Sequence, residues 1–170
     1  MPETSPAITS AVLRLRPARE QDRDHLAQLW HGGWHDAHRG HVPEALLAHR
    51  QLEHFRGLLP ERIAVTTVAV SESGIVGFVT VIADEIELLF VAPAARGGGT
   101  AAVLLAHGAT LIGHAGHAVA WLAVVEGNAR ARRFYEREGW RDAAAIDYRA
   151  EIPGGTLAVP SRRYEKQLRS

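Results

Sequence analysis

The 170-residue sequence has no cysteine, no excess of either charge and no long apolar run. Without cysteine, disulfides, thiolate metal sites and cysteine nucleophiles are excluded. The 19 basic residues balance the 19 acidic residues, so we expect neither a nucleic-acid partner nor binding to an anionic membrane. No stretch has the length and apolarity of a membrane span. The remaining composition, 46% hydrophobic and 22% charged residues, is typical of one globular domain.

The first residues, MPETSPAITS, predict a flexible leader over 1–10, followed by a single domain over 11–170. The leader lacks the basic region and the apolar stretch of a secretory signal. We therefore expect a cytoplasmic protein.

Hydrophobic periodicity predicts the order of the elements. It indicates a strand over 12–20, helices near 20–35 and 43–57, strands near 62–70, 75–83 and 85–91, a helix over 100–114, a strand over 118–126, a helix over 128–140, and two strands around Gly154 and Gly155. Short turns join the three middle strands, and short turns require antiparallel neighbours. The order β-αα-βββ-α-β-α-ββ predicts a mixed α/β domain with a mainly antiparallel sheet.

Three consecutive glycines, Gly97 to Gly99, stand where a strand gives way to a helix. The first amides of a helix lack intrahelical partners, and a loop without side chains lets a phosphate reach them. The glycines therefore predict a phosphate-binding loop. A P-loop is excluded, because Thr100 follows directly and the required lysine is missing.

A dinucleotide fingerprint, G-x-G-x-x-A, is formally matched by Gly97, Gly99 and Ala102, with Glu126 at the end of the next strand. However, residues 93–96 separate the strand from the first glycine, and the preceding strands are antiparallel. A nicotinamide-binding oxidoreductase remains as an alternative function.

Two segments carry a family resemblance. The first is R-x-x-G-x-[GA], matched by Arg96, Gly99 and Ala101. The second is N-x-x-A-x-x-[FL]-Y-x-x-x-G-[FW] over 126–140, matched by Asn128, Ala131, Phe134, Tyr135, Gly139 and Trp140. With these motifs, in this order, the chain resembles the GNAT superfamily of acetyl-CoA-dependent N-acetyltransferases.

The resemblance implies a GNAT-like sheet of about six or seven strands flanked by about four helices, and acetyl-CoA as co-substrate. It implies that Tyr135 assists departure of the thiolate as general acid, and that the end of the third middle strand pairs with the pantetheine arm. The cofactor-binding residues implied are Leu89, Phe90, Val91, Arg96, Gly97, Gly98, Gly99, Thr100, Ala101, Asn128 and Phe134. A non-catalytic acyl-CoA-binding protein is a second alternative.

The attacking amine must lose a proton, so a base is needed. Glu85 and Glu87 alternate on the strand before the glycine loop and therefore share one side of it. In the family a glutamate on this strand often serves as base. Both could instead be solvated, or one could pair with an arginine.

The segment WHGGWHDAHRGH places His31, His35 and His38 at helical spacing. A metal site is conceivable from imidazoles alone, but we predict no metal and assign the segment to the acceptor wall, with Trp30, Trp34 and His38 as substrate-binding residues.

Between His31 and Arg50 the only acids are Asp36 and Glu44. We therefore expect a singly charged or amphipathic amine, small or peptide-borne, rather than a polycation. A homodimer is a possible assembly.

Overall fold

The structure is a computed structural model that describes residues 12–168. The leader predicted over 1–10 lies outside the described residues. No helix in the part described is long and apolar enough to cross a membrane.

The predicted order of elements is confirmed. The strands are β1 Arg14–Pro17, β2 Thr66–Ser71, β3 Gly74–Ile82, β4 Glu85–Val91, β5 Val119–Val125, β6 Arg141–Ile152 and β7 Gly155–Gln167. The α-helices are α1 Arg23–His38, α2 Glu44–Ala48, α3 Leu52–Leu58, α4 Thr100–His114 and α5 Ala129–Arg137. Short 3-10 helices precede α1, follow α3, and stand before β2 and after β4.

The single helix predicted near 43–57 is wrong, because it is divided into α2 and α3. The division falls at Arg50, whose carbonyl accepts a hydrogen bond from His35 Nε2 at 2.7 Å. The Arg50 side chain also turns inward and donates to the carbonyl of Glu151 at 2.8 Å. These contacts come from distant residues, so no local periodicity could reveal them.

The seven strands form one sheet in the order β1-β2-β3-β4-β5-β7-β6. All neighbours are antiparallel except β4 and β5, which are parallel and paired at one position, Glu85 with Trp121. Asp84 stabilises the end of the sheet where these two strands pair, because its carboxylate accepts a hydrogen bond from Trp121 Nε1 at 3.1 Å. Beyond this pair the two strands are not hydrogen-bonded to each other, which leaves a gap in the middle of the sheet.

Helices cover both faces of the sheet. Helix α4 packs on β3, β4 and β5 through buried residues such as Leu104, Leu105 and Ile112. Helices α1 and α3 pack with β3 and β4 in a second cluster that includes Leu26, Trp30 and Phe55.

Gly33 permits the close approach of α1 to β4. A Cβ on Gly33 would collide with the ring of Phe90. The glycine pair 32–33, which weakens the helix locally, thus lets α1 lie against the strand that borders the gap.

Candidate active site

A cavity of about 920 Å³ runs through the gap between β4 and β5; we call it the central cavity. One wall is formed by residues 85–91 of β4 and the other by residues 122–125 of β5. The glycine loop and α5 close one end, while α1, α3 and residues 148–151 of β6 surround the other.

The structure brings nearly all residues predicted for the site to this one cavity. Its lining includes Glu85, Glu87, Leu89, Phe90, Val91, Arg96, Gly97, Gly99, Thr100, Ala101, Asn128, Phe134, Tyr135, Trp30, Trp34 and His38. Gly98 is adjacent in the loop but does not line the cavity.

The glycine loop opens the N-terminus of α4. Gly97 and Gly99 have φ of +82° and +85°, a left-handed conformation that side chains resist. A Cβ on either glycine would meet no atom within 4 Å, so the space beside the loop is open. The first intrahelical bond runs from the amide of Val103 to the carbonyl of Gly99 at 3.1 Å. The preceding amides are therefore available to an anion.

Helix α5 presents Asn128 and Tyr135 to the cavity. The Asn128 side-chain oxygen caps the helix by accepting from the amide of Ala131 at 3.2 Å, which leaves its NH₂ group for another acceptor. No residue of α5 is fully buried, but Ala131, Phe134 and Tyr135 pack against the core. Polar contacts add to the attachment of the helix to the sheet. The hydroxyl of Tyr164 on β7 donates to Glu136 at 2.9 Å and accepts from Arg132 at 3.2 Å.

Tyr135 is half-buried, with its ring centroid 5.3 Å from that of Phe134 and 5.9 Å from that of Tyr164. Burial raises the pKa of Tyr135 to about 12. The phenol therefore stays protonated at neutral pH and has a hydrogen to donate.

Glu85 and Glu87 both line the central cavity, but their surroundings differ. The β3–β4 register steps from Thr80–Leu88 to Val81–Ile86, so Glu87 occupies a β-bulge. Arg62 binds the Glu87 carboxylate through Nε at 2.9 Å and a terminal nitrogen at 2.7 Å. Glu87 is thus held as a structural ion pair.

Glu85 forms no ion pair or hydrogen bond through its side chain with any described residue. Burial, and then the charges of Glu87 and Asp84, raise the pKa of Glu85, against a smaller opposing effect of Arg163. A half-buried, unpaired carboxylate with a raised pKa is a better proton acceptor than an ion-paired one.

Aromatic residues of α1 form the wall opposite β4. Trp34 stacks on His38 with ring centroids 4.3 Å apart, and His38 Nδ1 donates to the Trp34 carbonyl at 2.7 Å. Burial lowers the pKa of His38 to about 4. This wall is therefore uncharged at neutral pH.

Residues 12–168 contain no group of three metal-ligating side chains placed to hold an ion. The hydrogen bonds that His35 and His38 make to backbone carbonyls occupy one nitrogen on each ring.

Several lining residues carry no motif in the sequence. They include Arg50, Arg62, Arg130, Arg137, Tyr148 and Glu151. Nothing in the sequence around Arg50 indicates that this residue is buried. The alternation of β6 could have drawn attention to Tyr148, whereas the ion pair of Arg62 with Glu87 has no local signal.

Comparison with known proteins agrees with this architecture. Residues 62–142 match the family model described as an acetyltransferase (GNAT) domain. No curated protein matches the chain significantly.

Solved structures share the fold over nearly the whole chain. A GCN5-related N-acetyltransferase of Rhodopseudomonas palustris is 20% identical with a TM-score of 0.72, covering 95% of this chain and 99% of that one. The PaiA N-acetyltransferase of Thermoplasma acidophilum, solved with coenzyme A, is 17% identical with a TM-score of 0.71, covering 92% and 99%. The putative acetyltransferase YncA of Salmonella typhimurium, solved with its cofactor acetyl-CoA, is 16% identical with a TM-score of 0.67, covering 94% and 96%.

The fold and the family match together define an acyltransferase. Residues 62–142 match a GNAT acetyltransferase domain, and the chain shares the fold of solved GNAT N-acetyltransferases over nearly its whole length.

Proposed function

We propose that this protein transfers the acetyl group of acetyl-CoA to a primary amine of a small molecule or a protein N-terminus by direct attack. The observation that carries the proposal is the central cavity, which joins an open helix N-terminus at one end to an unpaired carboxylate and an aromatic wall at the other. A phosphate-bearing donor and an amine acceptor fit opposite ends of one such cavity.

The cofactor end suits a pyrophosphate. The free amides after Gly99 supply hydrogen donors, and the open space beside Gly97 and Gly99 supplies room. Arg96, Arg130 and Arg137 also line this end, and Arg130 and Arg137 add positive charge. Arg96 is already oriented by an ion pair with Asp36 at 3.0 Å.

Acetyl-CoA, when bound, supplies a thioester whose carbonyl carbon forms the C–N bond while its C–S bond breaks. Glu85 accepts the proton that the amine must lose. Tyr135, for which the family resemblance implies the role of general acid, is the hydrogen donor toward the leaving sulfur. Because its pKa of about 12 lies above the thiol reference of about 8.5, we expect it to donate a hydrogen bond that stabilises the thiolate rather than to transfer its proton fully.

The acceptor end disfavours polycations. Glu87 is neutralised by Arg62, and Asp36 by Arg96. Glu85 and Glu151 are the acids of that end without an ion pair among the residues described, and Arg50 and Arg149 lie beside them. A substrate with several positive charges would therefore find little net attraction.

The test begins with ligand binding and acetyl transfer. Thermal melts with acetyl-CoA and with NAD should show stabilisation by acetyl-CoA alone, since a ligand that binds the folded state raises the melting temperature. Release of CoA thiol with a panel of amines should follow, and the absence of cysteine means that a thiol reagent reports CoA without protein background.

Tyr135→Phe then separates catalysis from binding. It should lower kcat by about 100-fold, at the lower end of general-acid effects, with acetyl-CoA affinity unchanged. Stabilisation by NAD instead would indicate a dinucleotide-binding protein. Tight acetyl-CoA binding without CoA release on any amine would indicate a non-catalytic acyl-CoA-binding protein.

A further inference from the structure

Arg50 is a buried cation without a carboxylate partner. Only 7% of the residue is exposed. Its guanidinium donates to the carbonyls of Glu151 at 2.8 Å and His49 at 3.3 Å, and it forms no ion pair with any residue in the described range. Buried charges are normally paired, because leaving one unpaired costs several kilocalories per mole.

The guanidinium still has donors to offer. Two of its five N–H groups are used by the two carbonyls. In the described part of the chain, the buried side-chain nitrogens and oxygens without a partner are His35 Nδ1 and Arg56 Nε. The unpartnered Nε of Arg50 is therefore not sealed inside the protein, and Arg50 lines the central cavity.

Glu85 is the matching unpaired anion at the same end of the cavity. Arg50, Glu85 and Tyr148 of β6 all line the central cavity. Glu85 and Glu87 raise the pKa of Tyr148, whereas Arg50 and Arg62 lower it, with burial as the largest cause. Arg62 and Glu87 neutralise each other, which leaves Arg50 and Glu85 as two opposite, separated charges around Tyr148.

A simple amine would satisfy only half of this arrangement. Its nitrogen could approach Glu85, but Arg50 would stay buried and unpaired. Glu151 does not supply the missing partner, because its side chain is exposed and forms no ion pair with Arg50. The charge of Glu151 nevertheless favours the charged form of Arg50. A ligand that carries both an ammonium and a carboxylate would pair both charges.

We propose that the acceptor is an amino-acid-like zwitterion whose carboxylate binds Arg50 while its amine is presented at Glu85. Arginine matches a carboxylate through its planar fork of N–H donors. Trp34, whose ring centroid lies 5.8 Å from the Arg50 guanidinium carbon, lines the same end of the cavity and adds apolar surface to it. This inference rests on the proposed acetyl-transfer function and narrows its substrate class.

The first experiment uses the parent protein alone. CoA release at saturating acetyl-CoA is measured for sets of three compounds: an amino acid such as phenylalanine or methionine, its amide, and the amine lacking the carboxylate. Amino acids with one, two or three carbons between the amine and the carboxylate show which distance between these two groups the site accepts best. We expect kcat/KM to be about 10- to 100-fold higher with a carboxylate than without, the range of a charge-assisted hydrogen-bonded contact.

Variants then assign the effect to Arg50. Arg50→Gln should raise KM for carboxylate acceptors about 10- to 100-fold, while the amides and simple amines change little and acetyl-CoA affinity stays the same. Arg50→Lys keeps the positive charge but loses the planar fork of N–H donors. Its KM for carboxylate acceptors should lie between those of the parent and of Arg50→Gln. Arg14→Gln, on exposed β1 at the far edge of the sheet, is the matched control and should behave as the parent does.

The outcomes separate the two proposals. Acetyl transfer to amines with no carboxylate preference would overturn the zwitterion assignment and leave the enzymatic function intact. An equal loss for all acceptors in Arg50→Gln would show that Arg50 only clamps β6 through Glu151. No transfer to any compound would count against both proposals. If Arg50→Gln does not fold, the comparison of acid, amide and amine in the parent still decides the question.

Discussion

Two glutamates two positions apart on β4 have opposite electrostatic surroundings. Glu87 is bound by Arg62 in a two-point contact, whereas Glu85 is unpaired and half-buried with a raised pKa. When the pKa of a carboxyl is higher in the folded protein than in the unfolded chain, the folded protein becomes less stable as the pH rises between the two pKa values. Glu85 therefore costs stability at neutral pH, which is common for catalytic groups.

We predict that Glu85→Gln lowers kcat by about 10²- to 10⁴-fold at neutral pH. The parent's kcat/KM should rise with pH through the raised pKa of Glu85, since only the carboxylate accepts a proton. The kcat/KM of the variant should instead keep rising with pH until the pKa of the acceptor amine is reached. Its melting temperature should be equal to or higher than that of the parent, because an unpaired buried charge has been removed.

Glu87→Gln is the matched comparison. It leaves Arg62 without its carboxylate and should lower the free energy of unfolding by about 1–3 kcal/mol. Steady-state rates from pH 5 to 10 and thermal melts check both variants. Parental kcat in Glu85→Gln at every pH would remove Glu85 from the reaction.

At the scale of elements, we propose that the glycine loop and the N-terminus of α4 bind the phosphates together. Gly99 is a poor position for a test, because its φ of +85° strains any side chain. Ala101 lies in the first turn of α4 and lines the cavity. A glutamate there is favourable for the helix, since negative charge is stabilised near a helix N-terminus.

We predict that Ala101→Glu folds as well as the parent but loses acetyl-CoA affinity by about 100-fold. Two like charges about 4 Å apart repel by roughly 4 kcal/mol at an effective dielectric constant of about 20. A repulsion weakened by solvent would therefore still account for the predicted loss of affinity. Ala106→Glu, exposed on the same helix and outside the cavity, is the control. Calorimetric titration with acetyl-CoA compares them, and equal affinities would place the phosphate site elsewhere.

At the scale of the whole molecule, we expect partly buried histidines to make the fold acid-sensitive. Burial lowers the pKa of His38 to about 4 and also lowers the pKa values of His31 and His54. Between about pH 6.5 and 4 the unfolded chain binds more protons at these sites than the folded protein does. Stability therefore falls as pH falls through this window, partly offset by Glu85, whose shift acts in the opposite direction.

We predict that His38→Gln reduces the loss of stability at acid pH, because glutamine keeps a hydrogen donor but cannot become charged. The difference in unfolding free energy between parent and variant should change by about 2 kcal/mol between pH 7 and pH 4. Denaturant titrations at several pH values measure it, with His117→Gln, exposed after α4, as the control. Parallel curves for parent and His38→Gln would contradict the assigned burial effect.

The sequence determined the features that depend on neighbouring residues. The element order followed from periodicity and short turns. The turn between β4 and α4 followed from its three consecutive glycines, two of which adopt the positive φ that glycine accepts most readily. Asn128 was recognisable as a cap because it bonds Ala131, three positions along the chain.

Only the tertiary structure decided which charges are paired. Arg62 reaches Glu87 from 25 positions away, and Arg50 reaches the Glu151 carbonyl from 101 positions away. A local pattern records which residues carry charge, but burial and pairing arise when distant segments pack together, and they set the free energy of each charge. The distinction between Glu85 and Glu87, and the unpaired guanidinium of Arg50, therefore became visible only once β4, α3 and β6 surrounded the same cavity.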